Sequence, residues 1–255
     1  MNRRHRSLIA PAVATLAGFA VLVGLGDWQL HRLAWKEGLI AAVESRVHAP
    51  PVELPAEADW QALKPDDYEY RHVRIAGVYD TSQQALVFRA LGEPRGRYGG
   101  PGYLVISPLR LANGATVLVN RGFVPEDQVD KAASGASGQA ETVVTGLMRA
   151  SEARNWFTPA DNPASRHWFT RDVEAIGRAM GLARLAPFSI DADAGADPNA
   201  LPEGGETIVA FPNNHFSYAM TWFGIALALV CVFASYAIGQ LRAPKSPDED
   251  RGRSA

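Results

Sequence analysis

The sequence predicts two transmembrane helices, one near each end of the chain, that flank a mainly antiparallel β domain with about one helix. Residues 8–26 and 219–239 contain no charged side chain, and about 20 apolar residues are enough to cross a bilayer as a helix. Between them lie six short runs rich in β-branched and aromatic residues, separated by turn signals. Such a series is typical of a small antiparallel barrel or sandwich.

The charged residues beside the two apolar runs predict their orientation. Arg3, Arg4 and Arg6 precede the first run, and Arg242 and Lys245 follow the second. Positive flanks stay on the cytoplasmic side, so both termini are expected in the cytoplasm. The first run exceeds the apolar region of about 7–15 residues in a signal peptide, which favours an uncleaved helix. We expect a multi-pass protein of a bacterial inner membrane whose main domain is periplasmic.

The predicted segments are a cytoplasmic tail (1–7), a first transmembrane helix (8–26), a periplasmic β-rich domain with a helical extension to about residue 48 (27–212), a second transmembrane helix with its start motif (213–240) and a disordered cytoplasmic tail (241–255). The extension is expected because Trp28, Arg32 and Trp35 share one stripe at helical spacing. It should end before the prolines of residues 49–55. The stripe is either an aromatic belt at the membrane boundary or a partner or cofactor surface that includes Arg32.

Within the β domain the turn signals are specific. Asn113-Gly114 separates two apolar runs and predicts a hairpin, because both residues tolerate positive φ. One helix is expected from Asp172, a suitable N-cap, to Gly181, a helix stop. The strands are predicted at residues 70–80, 84–90, 103–111, 115–124, 141–150 and 187–193.

The composition and the motifs point to no enzyme. The formal charge of −2 is nearly balanced, the one cysteine excludes an internal disulfide framework, and nucleic acid is not an expected partner. The chain has no phosphate-binding P-loop, HExxH, CxxC or GxSxG motif. Asp191 and Asp193 are read as loop carboxylates that nothing ties to acid–base chemistry.

The arginines of the β domain do not by themselves indicate a binding site. Arg95 and Arg97 lie in the glycine-rich loop 92–102, where they either meet an anion or face solvent. Arg121 is expected at a strand end, in a surface ion pair or a turn contact.

The stretch FPNNHFSYAMTWFG, residues 211–224, opens the second apolar run. His215 within it is able to ligate haem iron or another metal. On a helix, Tyr218 and Trp222 share a face with His215 and form a plausible wall for a flat macrocycle. The alternative is that the histidine snorkels at the membrane interface while one of the two preceding asparagines caps the helix.

Three stretches together carry a family resemblance: GDWQLHRLAWK after the first run, VLVNRGFVP in the β domain, and PNNHFSYAMTWFG. They are similar to the surfeit locus protein one (Surf-one) family, whose members assist cytochrome c oxidase assembly. The resemblance covers nearly the whole chain. One departure is Phe123, where the family usually shows tryptophan.

The resemblance implies a non-catalytic, membrane-anchored assembly factor that binds haem a for delivery to cytochrome c oxidase subunit I. Haem a synthase is a further candidate partner, alongside the lipid bilayer. His215 matches the family's proposed haem ligand, and Tyr218 and Trp222 would line the ring. Trp28 and Arg32 on the first helix would complete the site, with Arg32 pairing a propionate, and His31 is a second candidate ligand. The competing hypothesis is a cofactor-free scaffold that stabilises oxidase subunits, in which Arg121 would matter more.

Overall fold

The computed structural model describes residues 3–130, 140–197, 199–207 and 211–242. They form two compact units, one of Met1–Ala41 with Phe211–Ala255 and one of Ala42–Ala210. Residues 1–2 and 243–255 of the predicted tails lie outside the described part of the chain.

Two long helices form most of the first unit: α1, Arg3–Val47, of which the part up to Ala41 belongs to this unit, and the C-terminal helix, His215–Arg242. Both are long and apolar enough to cross a membrane. Helix α1 has 45 residues and is therefore about 68 Å long at a rise of about 1.5 Å per residue. The predicted extension beyond the first apolar run is confirmed, because one unbroken helix reaches Val47 and ends just before the prolines.

Small residues bring these two helices together. A Cβ atom added to Gly26 would lie 2.5 Å from the Phe223 ring, and one added to Gly18 would lie 3.1 Å from Leu229. Since the partner numbers fall as the α1 numbers rise, the helices are antiparallel. Small residues allow such close backbone approach between membrane helices.

The second unit is a closed barrel of mainly antiparallel strands, as predicted. The strands are β1 Val52–Glu53, β2 His72–Tyr79, β3 Ala85–Leu91, β4 Gly100–Arg110, β5 Thr116–Pro125, β6 Thr142–Ala150, β7 His167–Trp168 and β8 Leu185–Ala192. Strands β2, β6, β8, β5 and β4 follow one another around the ring, and β4 pairs with β2 to close it. Strands β5 and β8 are parallel, while β1 extends the sheet beside β2, and β3 and β7 extend it beside β4.

The predicted hairpin joins β4 to β5. Gly114 has φ = +82°, and the Leu111 N–H donates to the Ala115 carbonyl at 2.8 Å. The Asn113 side chain accepts a hydrogen bond from the Ala115 N–H at 3.0 Å. The hairpin is therefore confirmed, but only Gly114 has positive φ; Asn113 contributes its side-chain hydrogen bond instead.

Helices in this unit are short: α2, Pro65–Tyr68, and α3, Val173–Ala179. Helix α3 begins as predicted, because the Asp172 carboxylate accepts from the Ala175 N–H at 3.0 Å. Gly181 follows it at φ = +68°. The C-terminal helix His215–Arg242 is α4 below. The interior of the barrel is apolar and includes Val73, Ile75, Val117, Val119, Met148 and Phe188.

Candidate functional site

His215 is the first residue of α4 and lies against α1. Its ring atom Nδ1 is 2.7 Å from Gln29 Oε1. An amide oxygen only accepts hydrogen bonds, so Nδ1 carries the proton and Nε2 is left with a lone pair. A histidine held in this way presents one defined nitrogen to a metal.

The chain segment that leads into α4 is also held by α1. The Lys36 ammonium donates to the Pro212 carbonyl. The Asn214 carbonyl accepts the first helical bond, from the Tyr218 N–H at 3.1 Å, so Asn214 occupies the N-cap position. The Asn213 Oδ1 atom is buried and has no hydrogen-bond partner within the described residues.

The other predicted site residues divide into two groups. On α4, Trp222 is half-buried and Tyr218 is 55 % exposed, which leaves its ring open to a ligand. On α1, Trp28 and Arg32 are exposed, and the Arg32 guanidinium lies over the Trp35 ring at 4.5 Å. The structure thus brings His215 to Gln29, while Trp28 and Arg32 stand on the exposed side of α1.

His31 does not join His215. Its Nδ1 atom is 3.0 Å from the Asp27 carbonyl one turn earlier on α1. Sequence reasoning missed Gln29, although it directly follows Trp28. Its one available signal was a polar side chain at the edge of an apolar run.

The structure orients one side-chain nitrogen donor at this place, Nε2 of His215. No group of three or more His, Cys, Asp or Glu residues that could hold a metal ion occurs among the described residues. A metal held by one histidine nitrogen needs its other donors from the ligand itself, and a porphyrin ring supplies them. The exposed Tyr218 ring on the same helix offers an apolar surface to such a ring.

The barrel contains a second polar centre around Asp191. The expectation that Asp191 is a loop carboxylate is wrong: it lies in β8 and is 4 % exposed. Its carboxylate is 2.8 Å from Arg171 Nη1 and 2.9 Å from Arg149 Nη1, and it accepts bonds from Asn120 and Thr207. Burial raises the pKa of Asp191, but these two cations and the hydrogen bonds lower it below its usual value.

The same centre continues to Glu152. Arg89 donates two hydrogen bonds to this carboxylate, at 2.9 and 2.7 Å, and the Arg171 N–H donates a third. Burial raises the pKa of Glu152, and the charges of Arg171 and Arg89 outweigh it, so the pKa is lowered. The charges of this centre are thus mutually paired, as buried charges must be.

Arg121 is placed differently from its prediction. Its guanidinium lies 5.3 Å from the Tyr79 ring centre, and Nη1 is buried without a hydrogen-bond partner in the described chain. Burial lowers the pKa of Arg121 and raises that of Tyr79 to about 12. The predicted surface ion pair is therefore wrong, because this half-buried arginine lies against an aromatic ring instead.

The glycine-rich loop 92–102 does meet anions, but they belong to the chain. The Glu206 carboxylate accepts from the Arg95 N–H at 2.9 Å, and the Glu203 carboxylate accepts from the Arg97 N–H at 2.9 Å. These backbone donors of the loop are therefore already used.

Fold and site define a protein with two candidate membrane helices, a closed β barrel between them in sequence, and one oriented histidine where the helices meet. The chain belongs to the SURF1 family, whose model matches residues 16–227. It is 39 % identical over 218 residues to Surfeit locus protein 1 of Homo sapiens, covering 80 % of this chain and 70 % of that one. It is 35 % identical over 237 residues to a SURF1-like protein of Drosophila melanogaster, with 85 % and 75 % covered. The expected family is thereby confirmed.

Proposed function

We propose that this protein is a membrane-anchored assembly factor for cytochrome c oxidase that holds haem a for insertion into subunit I. The observation that supports the proposal is the 2.7 Å contact between His215 Nδ1 and Gln29 Oε1, because it leaves the lone pair of Nε2 available to bind iron. When bound, haem a brings the redox chemistry, and the protein supplies a ligand, an apolar wall and a docking surface.

His215 would bind the iron, and Tyr218 and Trp222 would line one side of the ring. Trp28 and Arg32 would serve from the exposed side of α1, where Arg32 is available to pair a propionate. The protein would act in a bacterial inner membrane with its barrel in the periplasm, and would catalyse no reaction. Haem a synthase is the natural donor, since the cargo must be received before it is delivered.

The test is the haem a content of His215→Ala, purified from a strain that makes haem a. We expect the bound haem a to be lost, because the only oriented nitrogen at the site is removed. His31→Ala is the matched control, a second histidine on the same helical unit that contacts its own helix, and it should keep its haem a. Equal haem a content in His215→Ala and wild type would refute the assignment.

The second candidate is a cofactor-free scaffold that stabilises oxidase subunits. It is favoured by Arg121, a half-buried cation that lies over the Tyr79 ring and forms no ion pair in the described chain. A partner's carboxylate would compensate it. Under this hypothesis Arg121→Gln abolishes recovery of oxidase subunits in pull-downs, whereas His215→Ala recovers them normally.

A further inference from the structure

A cavity of about 250 Å³ lies beside the buried polar centre around Asp191. Three arginines line it, from β3, from β6 and from the segment before α3: Arg89, Arg149 and Arg171. The exposed Ala90 is also part of the lining, so solvent reaches the cavity. Its volume is many times the roughly 30 Å³ of one water molecule and a little below the roughly 300–1,000 Å³ of pockets for drug-sized ligands. The arginine cavity, as we call it, therefore has room for a small organic molecule.

Arg171 has hydrogen-bond donors that the protein does not use. Its side chain is 2 % exposed, and its Nη1 atom donates to Asp191 at 2.8 Å. Its Nε and Nη2 atoms are buried and meet no hydrogen-bond acceptor within the described part of the chain. Nη2 lies 3.5 Å from Glu152 Oε1, which is too long for a good hydrogen bond. A buried donor without an acceptor destabilises the fold, so an acceptor supplied by a ligand would be bound favourably here.

The other two arginines also keep spare donors. Arg89 uses Nη2 alone for both of its hydrogen bonds to Glu152. Arg149 uses Nε for Glu69 and Nη1 for Asp191. Since a guanidinium group has five N–H donors, each of these side chains has further N–H groups that can reach a ligand.

The carboxylates of the lining have little accepting capacity left. Each oxygen of Asp191 already accepts two hydrogen bonds. Glu206 is 7 % exposed, and its two oxygens accept from the Arg95 and Gly96 N–H groups. Donors therefore exceed acceptors around the arginine cavity, so a matching ligand supplies acceptor oxygens.

The charges around the cavity decide between an anion and a neutral ligand. Each arginine has its own carboxylate partner: Arg89 with Glu152, Arg149 with Glu69, and Arg171 with Asp191. These pairs have no net charge, and Glu206 adds one negative charge to the lining. An anionic ligand would bring a further negative charge without a spare cation, and an uncompensated charge at a buried site is costly. A neutral acceptor avoids that cost.

We propose that the arginine cavity binds a small neutral carbonyl compound, whose oxygen accepts hydrogen bonds from the spare arginine N–H groups. A carbonyl oxygen has two lone pairs and brings no donor of its own. It therefore suits a lining rich in donors better than water or an alcohol does. The proposal does not rest on the binding of haem a, because no residue assigned to the haem site lines this cavity.

The test is a titration of the full-length protein in detergent micelles, followed by the ¹⁵N–¹H NMR signal of the Arg171 Nε–H group. This signal is assigned through bonds from the Arg171 backbone amide. Acetone is the neutral probe, and sodium acetate is the charged probe of nearly the same shape, with the ionic strength held constant. We expect acetone to shift the signal saturably, and acetate to bind several-fold more weakly.

Ala90→Leu narrows the cavity without removing any hydrogen bond of the polar centre, because the alanine side chain forms none. It should weaken acetone binding several-fold. Ala112→Leu is the matched control, an exposed alanine in the β4–β5 turn that lies outside the lining, and it should bind acetone as wild type does.

Three results would overturn the proposal. Without a saturable acetone shift, the cavity holds water only. Acetate binding as tight as that of acetone would make it an anion site. Unchanged acetone binding in Ala90→Leu would place the ligand elsewhere. Acetone should also bind normally to His215→Ala, and Ala90→Leu should keep its haem a, so failure here is distinguishable from failure of the haem site.

Discussion

Gln29 decides which nitrogen of His215 carries the proton. In Gln29→Ala the Nδ1 hydrogen bond is lost, and the imidazole is free to exchange between its two tautomers. Loss of such an outer partner typically weakens metal affinity by about 10- to 100-fold. We expect weaker haem a binding together with a mixed tautomer signal for His215 in ¹⁵N NMR spectra of the haem-free protein.

Gln29→Glu provides the control, because a carboxylate also accepts from Nδ1. It should restore the single tautomer and most of the affinity. If Gln29→Ala leaves both the tautomer signal and the haem affinity unchanged, Gln29 does not position the ligand.

His72 makes the stability of the barrel depend on pH. Its Nδ1 is 2.9 Å from the Ala49 carbonyl, and its Nε2 is 2.7 Å from Asp193 Oδ2, so both nitrogens act as donors to oxygen acceptors. Burial lowers the pKa of His72, but the hydrogen bonds to Asp193 and Ala49 and the charge of Asp193 raise it above its usual value.

Protonated His72 stabilises the folded barrel, because its pKa is higher in the folded than in the unfolded state. This contribution to the free energy of unfolding is complete below the unfolded-state pKa and is lost as the pH rises through the folded-state pKa. We expect the thermal unfolding midpoint of the barrel to fall as the pH rises above the usual histidine pKa of about 6.5. His72→Gln should flatten that part of the profile, whereas His48→Gln, at an exposed ring, should retain it. A wild-type slope in His72→Gln would assign the pH dependence to another group.

Residue chemistry could be predicted only in part. His215 was identifiable because a histidine at the edge of an apolar run is unusual there. Gln29 was not, because its partner lies 186 residues away and no local pattern reports such a pairing. Asp191 was misjudged for the same reason, since its cations come from β6 and from Arg171.

At the scale of elements, Gly26 sets the distance between α1 and α4. A leucine there would push the helices apart, because even its Cβ atom would lie only 2.5 Å from the Phe223 ring. A Gly18→Cys, Leu229→Cys pair in a Cys231→Ser background measures the distance through disulfide formation. We expect oxidation to protect both thiols from a maleimide–polyethylene glycol reagent, and Gly26→Leu to reduce that protection several-fold.

Gly24→Leu is the matched control, because an added Cβ there meets nothing within 4 Å. It should leave the disulfide yield at the level of the parent pair. Similar yields in the two leucine variants would show that Gly26 does not govern the packing.

The elements themselves were predictable where local signals suffice. The hairpin at Asn113-Gly114, the capped helix α3 and the six main strands all follow from turn chemistry and side-chain type. The parallel pairing of β5 with β8 and the closure of β2 on β4 did not follow. They join segments far apart in sequence, and alternation within a strand does not identify its neighbour.

For the whole molecule, we expect both termini on the cytoplasmic side of the membrane. A green fluorescent protein fused after Ala255 should fluoresce, and alkaline phosphatase inserted at Ala112 should be active only if that turn is exported. The physical reason is the cluster Arg3, Arg4 and Arg6 before the first apolar run. A C-terminal fusion that does not fluoresce, or an inactive phosphatase insertion, would contradict this topology. Replacement of the three arginines by glutamine should give a mixed population of molecules with both orientations in the membrane.

The antiparallel contact of α1 with α4 also sets an order of events during synthesis. Gln29 and His215 are 186 residues apart, and translation adds about 5–20 residues per second, so α1 waits about 10–40 s for its partner helix. During that time Gly18 and Gly26 face lipid. Strand β8 is made before α4, so all the strands of the barrel ring exist before the histidine does. Under the proposed function, a partly synthesised chain would therefore lack its haem ligand until the strands of the ring have been made.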